Sequence, residues 1–148
     1  MAYSNDQLTD IYERTDGHCH ICTKKLSRKN YAQFGERGAW EVEHSRARAL
    51  GGTDAPSNRY AACIRCNRSK GCGSTRSARA RNGRRCAPLS KVRRAEERTT
   101  NAVLVGGAGA VLGHQVARVL GWHPAVGTIA GGLLGADAGH RHNPDRRR

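Results

Sequence analysis

Glu43 and His44 are neighbours in the chain, and together they carry the chemistry that hydrolysis of a phosphodiester bond requires. That reaction needs an activated water and a cation that neutralises the charge developing on the phosphate. A free imidazole titrates at about pH 6.5, so His44 is the predicted general base. Magnesium and manganese prefer hard carboxylate oxygens, so Glu43 is a predicted ligand of a catalytic divalent ion.

Two Cys-x-x-Cys pairs, a motif of zinc sites, bracket these residues: Cys19, Cys22, Cys63 and Cys66. The 40 residues between the pairs are more than in a usual zinc ribbon and leave room for a hairpin and a polar loop. Four thiolates close a tetrahedral shell with no open position, so the predicted zinc ion is structural. Disulfide bonds are the alternative. Residues 1–10 have no signal-peptide core, which predicts a cytoplasmic, reducing environment and favours zinc. Four further side chains are expected to take no part: exposed His18 and His20, and the free thiols Cys72 and Cys86.

The chain around these residues resembles the HNH endonucleases that carry a four-cysteine zinc site. The matching segments are residues 18–22, 42–44, 48–52, 56–60 and 63–71. The resemblance implies a ββα-metal finger that holds one catalytic divalent ion, Mg²⁺ or Mn²⁺, and acts on DNA. It also implies that Asn58, whose amide can hold the ring of His44, orients that ring. Asn67 would be the second ligand of the catalytic ion, and a homodimer would fit the family.

The elements that must position this site are short. An extended strand directs the side chains of Glu43 and His44 to opposite faces, so we expect a turn to begin there. The Gly51-Gly52 pair predicts a loop after it. Upstream, residues 5–14 predict a helix capped by Asn5 or Asp6. The predicted apolar contacts are Leu8, Ile11 and Tyr12 on that helix, and Tyr31, Phe34, Trp40 and Val42 around a hairpin.

The chain is strongly basic, with a net charge of +14 and a pI near 10.4. Such a charge attracts polyanions, and phosphate contacts supply most non-specific affinity for nucleic acid. Residues 65–98 form a basic arm, and the glycine- and serine-rich part, 71–88, is expected to lack a fixed fold until it lies along a phosphate backbone. The predicted DNA contacts are Arg46, Arg48, Arg65, Arg68, Lys70, Arg76 and Arg79.

Small residues recur every four positions near the C-terminus: Gly109, Gly113, Ala117 and Gly121, then Gly127, Gly131, Gly135 and Gly139. This spacing predicts two closely packed helices joined at His123-Pro124. It resembles glycine-zipper segments of membrane-associated bacterial proteins. Each apolar run is shorter than the ~20 residues that span a bilayer. Peripheral membrane association, with the basic tail at an anionic surface, is one interpretation of this segment. A packing or oligomerisation hairpin and a flexible Gly-Ala tail are the alternatives.

The sequence therefore predicts a small α+β protein in four parts. A zinc-stapled ββα-metal (HNH) module occupies residues 1–75, and a basic linker with a short helix occupies 76–100. A Gly-rich helical hairpin covers 101–140 and a basic tail 141–148. The predicted function is metal-dependent DNA cleavage. Two alternatives remain: a non-catalytic zinc module that binds nucleic acid, and a membrane or assembly protein driven by the hairpin.

Overall fold

The computed structural model describes residues 3–141. Its regular elements are α1 (Asn5–Glu13), β1 (Trp40–His44), β2 (Arg59–Cys63), α2 (Ile64–Lys70), α3 (Thr75–Arg81), α4 (Lys91–Val119) and α5 (Pro124–Arg141). Short 3-10 turns occur at Arg28–Asn30, Arg48–Leu50 and Pro56–Asn58. The chain divides into two compact units, one through Lys91 and the other from Val92 onward. Apart from Arg141, which ends α5, the predicted basic tail lies outside the described residues.

The N-cap of helix α1 lies one residue before the earlier of its two expected positions. Ser4 is the N-cap, in an extended conformation, and its hydroxyl accepts a hydrogen bond from the Gln7 amide. The Gln7 side chain accepts one from the Ser4 amide at 3.0 Å in return. This reciprocal capping box satisfies two helix N–H groups at once, which neither Asn5 nor Asp6 does here. The helix buries Ile11 in the core.

The strands β1 and β2 form an antiparallel hairpin, and α2 follows β2 directly, so the predicted small α+β fold and its ββα order are confirmed. Glu43 faces Tyr60 across the hairpin and His44 faces Arg59. Strand β1 continues through His44, so the turn expected at Glu43 begins only after the histidine. Glu43 and His44 consequently keep opposite faces of the strand.

The core of the first unit is small and centres on Trp40, which is 1% exposed. The ring centroid of Trp40 lies 5.4 Å from that of Tyr12 and 4.9 Å from that of Tyr31. Phe34 does not join this core as expected. It is 76% exposed, because it lies in a loop with two positive-φ glycines, Gly35 and Gly38, that carries it away from the hairpin.

Part of the segment expected to be unfolded forms α3. Ser74 caps it by accepting a hydrogen bond from the Ser77 amide at 3.1 Å. Thr75 and Ala78 are buried on its inner face. The glycines around α3 lie outside the helix, so they end it without preventing it.

The second unit is a helical hairpin in which glycines permit close backbone contact. A methyl group added at Gly109 would collide with the carbonyl of Gly131, and one at Gly113 with that of Gly127. The chain reverses through Gly121, at φ 72°. The predicted hairpin is therefore present. Helix α4 runs without a break through residue 101, the predicted start of the hairpin, because no glycine or proline interrupts it before residue 106.

By length and composition, α4 is the one helix of the described chain that could cross a membrane. The sequence predicts that neither apolar run is long enough. The helix that contains the first apolar run extends beyond it in both directions. Helix α4 as a whole is therefore long enough to cross a bilayer, although the run alone is not. Buried helices of soluble proteins can be equally long and apolar, so length and composition alone do not identify a membrane-spanning helix.

Candidate active site

The four predicted zinc ligands meet at one point. The sulfur atoms of Cys19, Cys22, Cys63 and Cys66 lie within 4.8 Å of one another. Two of them, Cys22 Sγ and Cys63 Sγ, are 3.9 Å apart. Zinc–sulfur bonds of about 2.3 Å in a tetrahedron separate the sulfurs by about 3.8 Å, so the cluster fits a structural metal ion such as zinc.

Backbone geometry supports the same conclusion. The N–H groups of Ile21, Cys22 and Cys63 donate to Cys19 Sγ at 3.4, 3.4 and 3.3 Å. Sulfur accepts hydrogen bonds best as a thiolate, the form that binds metal. The site joins the loop after α1 to the junction of β2 and α2, because Cys63 ends the strand and also caps the helix.

His44 ends β1 beside a carboxylate that the sequence did not single out. Its Nε2 lies 2.8 Å from Asp54 Oδ1. The histidine side chain is 12% exposed. It lines a cleft of about 180 Å³ together with Val42, Ala47, Arg48, Asn67, Lys70 and Gly71. Hydrogen bonding to His44, with the nearby Arg48 charge, holds the pKa of the Asp54 carboxyl below its usual value. The ionised Asp54 therefore accepts from Nε2–H, which leaves Nδ1 of a neutral ring to take a proton.

Asn58 ties together the loop between the two strands. Its Oδ1 accepts from the Arg46 amide at 2.7 Å, and its Nδ2 donates to the carbonyls of Arg46 and Thr53 at 3.0 and 2.8 Å. The expected contact between Asn58 and the ring of His44 is absent, because this amide is used by the backbone. Asn58 instead holds the loop that carries Asp54 to the ring.

Glu43 is fully buried, with 0% exposure, and so does not face the cleft as a predicted metal ligand should. Its Oε1 accepts from Thr75 Oγ1 at 2.9 Å and lies 3.2 Å from Lys70 Nζ. Its Oε2 lies 3.0 Å from His20 Nδ1. Burial opposes ionisation of Glu43, but hydrogen bonds from His20 and Thr75 and the charge of Lys70 outweigh it, so the pKa lies below its usual value.

His20 is a buried member of this network, and His18 is buried as well, so neither is the exposed side chain expected. The His20 ring stacks on Tyr60 with centroids 3.7 Å apart. Arg79 donates to His20 Nε2, which leaves Nδ1–H to donate to Glu43. Burial lowers the pKa of His20, in keeping with a neutral ring that accepts on one nitrogen and donates from the other.

Two of the predicted DNA contacts also point inward. Lys70 is 6% exposed, and its Nζ donates to the His44 carbonyl at 2.8 Å. Arg79 donates from Nε to the His20 carbonyl at 2.9 Å. Both cations are drawn inside by the buried carboxylate of Glu43. The other five predicted contacts are exposed: Arg46, Arg48, Arg65, Arg68 and Arg76.

The predicted pair of catalytic-metal ligands does not converge. Asn67 lines the cleft beside His44, and its Nδ2 donates to Glu41 Oε2 at 2.9 Å. Glu41 also pairs with Arg68 at 2.8 Å. Glu43 lies on the same face of β1 as Glu41, but the side chain of Glu43 is in the interior. Of the two predicted ligands, Asn67 therefore has a side chain at the cleft and Glu43 does not.

Sequence reasoning missed Asp54 because it lies ten residues beyond His44 and no periodicity connects them. One signal was available. A Gly-Gly pair, then Asp54, then Asn58 before the next strand describes a tight loop that returns to the end of β1. Gly52 is required there, since an added Cβ would lie 2.9 Å from the Ala47 carbonyl oxygen and closer still to that of Arg46.

Comparison with known families gives one match: residues 19–73 fit the HNH endonuclease family. Neither the curated proteins nor the solved structures contain a match to the chain. The matched segment runs from the first cysteine of the metal cluster to the end of α2 and includes β1, the loop, β2 and His44. With its four-cysteine cluster and ββα order, this part of the chain matches the model of an HNH endonuclease domain.

Proposed function

We propose that the protein is a metal-dependent endonuclease that hydrolyses phosphodiester bonds in DNA, with His44 activating the water. The observation that carries this proposal is the His44–Asp54 pair at the cleft of an HNH domain, with Nε2 and Oδ1 2.8 Å apart. A histidine held by an ionised carboxylate through one nitrogen is a common arrangement for a general base.

The proposed proton path runs through Nδ1 of His44. Nδ1 accepts a proton from a water molecule as that water attacks the phosphorus. The P–O bond to the leaving sugar oxygen breaks, and that oxygen takes a proton from solvent and leaves as a hydroxyl group. Asp54, which accepts from Nε2–H, stabilises the imidazolium that forms. Lys70 fixes the main chain at this point by donating to the His44 carbonyl at 2.8 Å. The ring is thus held through its side chain and through its backbone.

A divalent ion, Mg²⁺ or Mn²⁺, belongs to the proposal on chemical grounds. The ion would contact the phosphate oxygens and stabilise the negative charge that develops on them, which the basic side chains do less directly. Asn67 is the predicted ligand that remains compatible with this role, since it lines the cleft. The buried carboxylate of Glu43 does not fit, and no step of the proton path depends on it.

DNA is proposed as the substrate because of the charge around the cleft. Arg48 lines the cleft, and Arg46, Arg65 and Arg76 are exposed in the same unit. Such side chains neutralise phosphates without reading bases, so binding should be strongly salt-dependent and weakly sequence-selective.

The test is plasmid cleavage by zinc-loaded protein, with Mg²⁺ or Mn²⁺ added and with neither. His44→Ala should reduce the rate by roughly 10²–10⁴-fold, the usual contribution of a general base. His123→Ala is the matched control, because His123 is an exposed histidine of the second unit. Zinc content and circular dichroism must be equal in all samples. Equal cleavage by wild type and His44→Ala would remove His44 from the mechanism.

A non-catalytic zinc module that binds nucleic acid is the second candidate. The interior position of Glu43 favours it, because it leaves the cleft with one fewer carboxylate than a metal-dependent nuclease is expected to use. Folded, zinc-loaded protein that shifts DNA on a gel but cuts neither DNA nor RNA with any divalent ion would support this second function instead of the first.

A further inference from the structure

The α4–α5 hairpin packs its smallest residues inward and turns its largest apolar side chains outward. Glycines of the two helices meet along the seam, where an added methyl group at Gly131 would collide with Gly109. On the outside, Leu112 is 67% exposed and Leu134 73%. The same surface carries Val103, Leu104, Val111, Val116, Val119, Val126, Ile129 and Leu133, each more than half exposed.

This arrangement is the reverse of what water favours. A helical hairpin in water buries its large apolar side chains at the seam and exposes polar ones, because burial of apolar area drives the packing. Within a bilayer, lipid tails surround the large side chains equally well, and helices associate through small residues that let backbones approach. Many large apolar side chains exposed on the same two helices mark a contact with a membrane or another protein.

Two polar side chains in the apolar part of the hairpin, His114 and Thr128, are turned toward each other, whereas Gln115 is exposed. His114 Nδ1 lies 3.2 Å from Thr128 Oγ1 across the seam, and Thr128 donates to the Pro124 carbonyl at 3.0 Å. In hydrocarbon an unpaired polar group is costly, so pairing between the helices is the arrangement that lipid requires. Between residues 102 and 136, Arg118 is the one residue with a formal charge.

Length and end groups fit a bilayer. At 1.5 Å per residue, residues 102–119 of α4 extend about 27 Å, close to the ~30 Å thickness of the hydrocarbon layer. Arg118 lies in the last turn of α4, where its aliphatic side chain can extend and place the guanidinium at the membrane surface. Trp122 follows in the connecting turn and is 62% exposed. Tryptophan is enriched at this depth, where the hydrocarbon meets the headgroups.

The opposite end of the hairpin is basic. Gly139 lies against Asn101, so the start of the apolar part of α4 and the end of α5 are side by side. Arg93 and Arg98 precede that point in α4, with Glu96 and Glu97 between them, and Arg141 ends α5, where it pairs with Asp137 at 3.0 Å. In residues 91–101, four basic residues stand against these two acidic ones. Basic residues next to a membrane segment are attracted by anionic headgroups. This charge distinguishes a membrane from a second copy of the chain, whose matching end would carry the same positive charge.

We propose that the α4–α5 hairpin inserts into a lipid bilayer that contains anionic lipid, and so attaches the HNH domain to a membrane. Both ends of the hairpin then emerge on the side of the anionic headgroups that attract Arg93, Arg98 and Arg141. This attachment is independent of whether the domain cuts DNA.

The experiment is flotation of the full chain with vesicles of phosphatidylcholine, with and without phosphatidylglycerol, in a density gradient. Wild type should float with the anionic vesicles. Leu112→Glu combined with Ile129→Glu should reduce the bound fraction by at least about a hundred-fold, since a carboxylate in the hydrocarbon strongly opposes insertion. Val92→Glu is the matched control: Val92 is an exposed valine of α4, 67% exposed, that precedes the apolar segment. That variant should float like wild type.

A second measurement is made on the wild type, so it remains valid even if the glutamate variants fold poorly. Brominated lipid should quench the tryptophan fluorescence of wild type, and Trp122→Phe should lose that quenching, since the remaining Trp40 is buried in the first unit. Wild type that stays at the bottom of the gradient with both vesicle types, or that shows no quenching, would overturn the proposal. Oligomers that form without lipid and do not float would identify a second copy as the occupant instead.

Discussion

Asp54 decides which nitrogen of His44 can accept a proton. A carboxylate that accepts from Nε2–H fixes the tautomer of the ring and leaves Nδ1 as the nitrogen that can take a proton. Hydrogen bonding to His44 lowers the pKa of Asp54, so this carboxylate remains ionised at neutral pH. Tyr3 adds a second hydrogen bond to the same oxygen at 3.3 Å, which helps to hold it toward the ring.

Asp54→Asn should therefore lower the cleavage rate while leaving the fold intact. An amide can donate to Nε2 and so favour the wrong tautomer. The expected loss is at least roughly ten-fold and at most the ~10⁴-fold that the same change causes in a serine protease triad. Single-turnover cleavage and DNA affinity should be measured together, with Asp137→Asn as the control because that carboxylate is exposed in the second unit. A weakened affinity at an unchanged rate would assign Asp54 to binding.

Glu43 and Lys70 form a buried pair whose members depend on each other. Glu43→Gln removes the charge that compensates Lys70, whose side chain is 2% exposed, and should destabilise the first unit by about 3–5 kcal/mol. Lys70→Met in the same background should recover much of that loss. Urea unfolding at pH 7 followed by tryptophan fluorescence measures both. Additive losses in the double variant would show that the two side chains are not coupled.

The same pair has a defined pH dependence. The pKa of Glu43 is lower in the fold than in the unfolded chain, so the unfolded state binds more protons at acid pH. The stability contributed by ionised Glu43 is thus complete above about pH 4.3 and is lost as pH falls through the folded value. Glu43→Gln should lack this part of the acid dependence.

At the scale of elements, the loop between β1 and β2 holds Asp54 against His44, and the hydrogen bonds of Asn58 hold that loop in place. Asn58→Ala removes three hydrogen bonds and leaves the Arg46 amide and two carbonyls to water, which should cost about 1–3 kcal/mol. Cleavage should fall more than stability does, because Asp54 loses its fixed position against His44. The measurement is cleavage rate beside urea midpoint, with Asn5→Ala on the exposed face of α1 as control. Loss of stability with an unchanged rate per folded molecule would show that the loop does not position the site.

How well the sequence predicts each element depends on how far apart its contacting residues lie in the chain. The two cysteine pairs predict the metal cluster, because zinc geometry constrains both ends of a 40-residue segment. The resemblance to HNH endonucleases implies the ββα order. Local spacing likewise predicts the hairpin of α4 and α5. The interior position of Glu43 depends on Lys70, Thr75 and His20, which are distant in sequence. The chemistry of a carboxylate, which suggests a metal ligand, therefore does not indicate this burial. Helix α3 was missed since buried contacts override a glycine-rich composition.

At the scale of the whole molecule, the two units are stabilised by different means. The first has a core of few large side chains around Trp40 and depends on the metal cluster to join its elements. Domains of this size usually need such a staple. The second has no thiol among its described residues and is held by close contact between glycine-lined helices. Loss of the metal ion should therefore affect one unit and spare the other.

Removal of zinc with a chelator should unfold the first unit and preserve α4 and α5 in lipid vesicles. Circular dichroism should keep the helical signal of the hairpin, while the near-ultraviolet signal of Trp40 disappears and cleavage stops. Structural zinc supplies folding free energy directly, so Cys22→Ser should reproduce this result without chelator, and Cys72→Ser, which changes an exposed thiol outside the cluster, should not. Because only the first unit contains the cluster, its loss should be cooperative and reversible on return of zinc. A chelated sample with an unchanged Trp40 signal would mean that the small core folds without the metal ion.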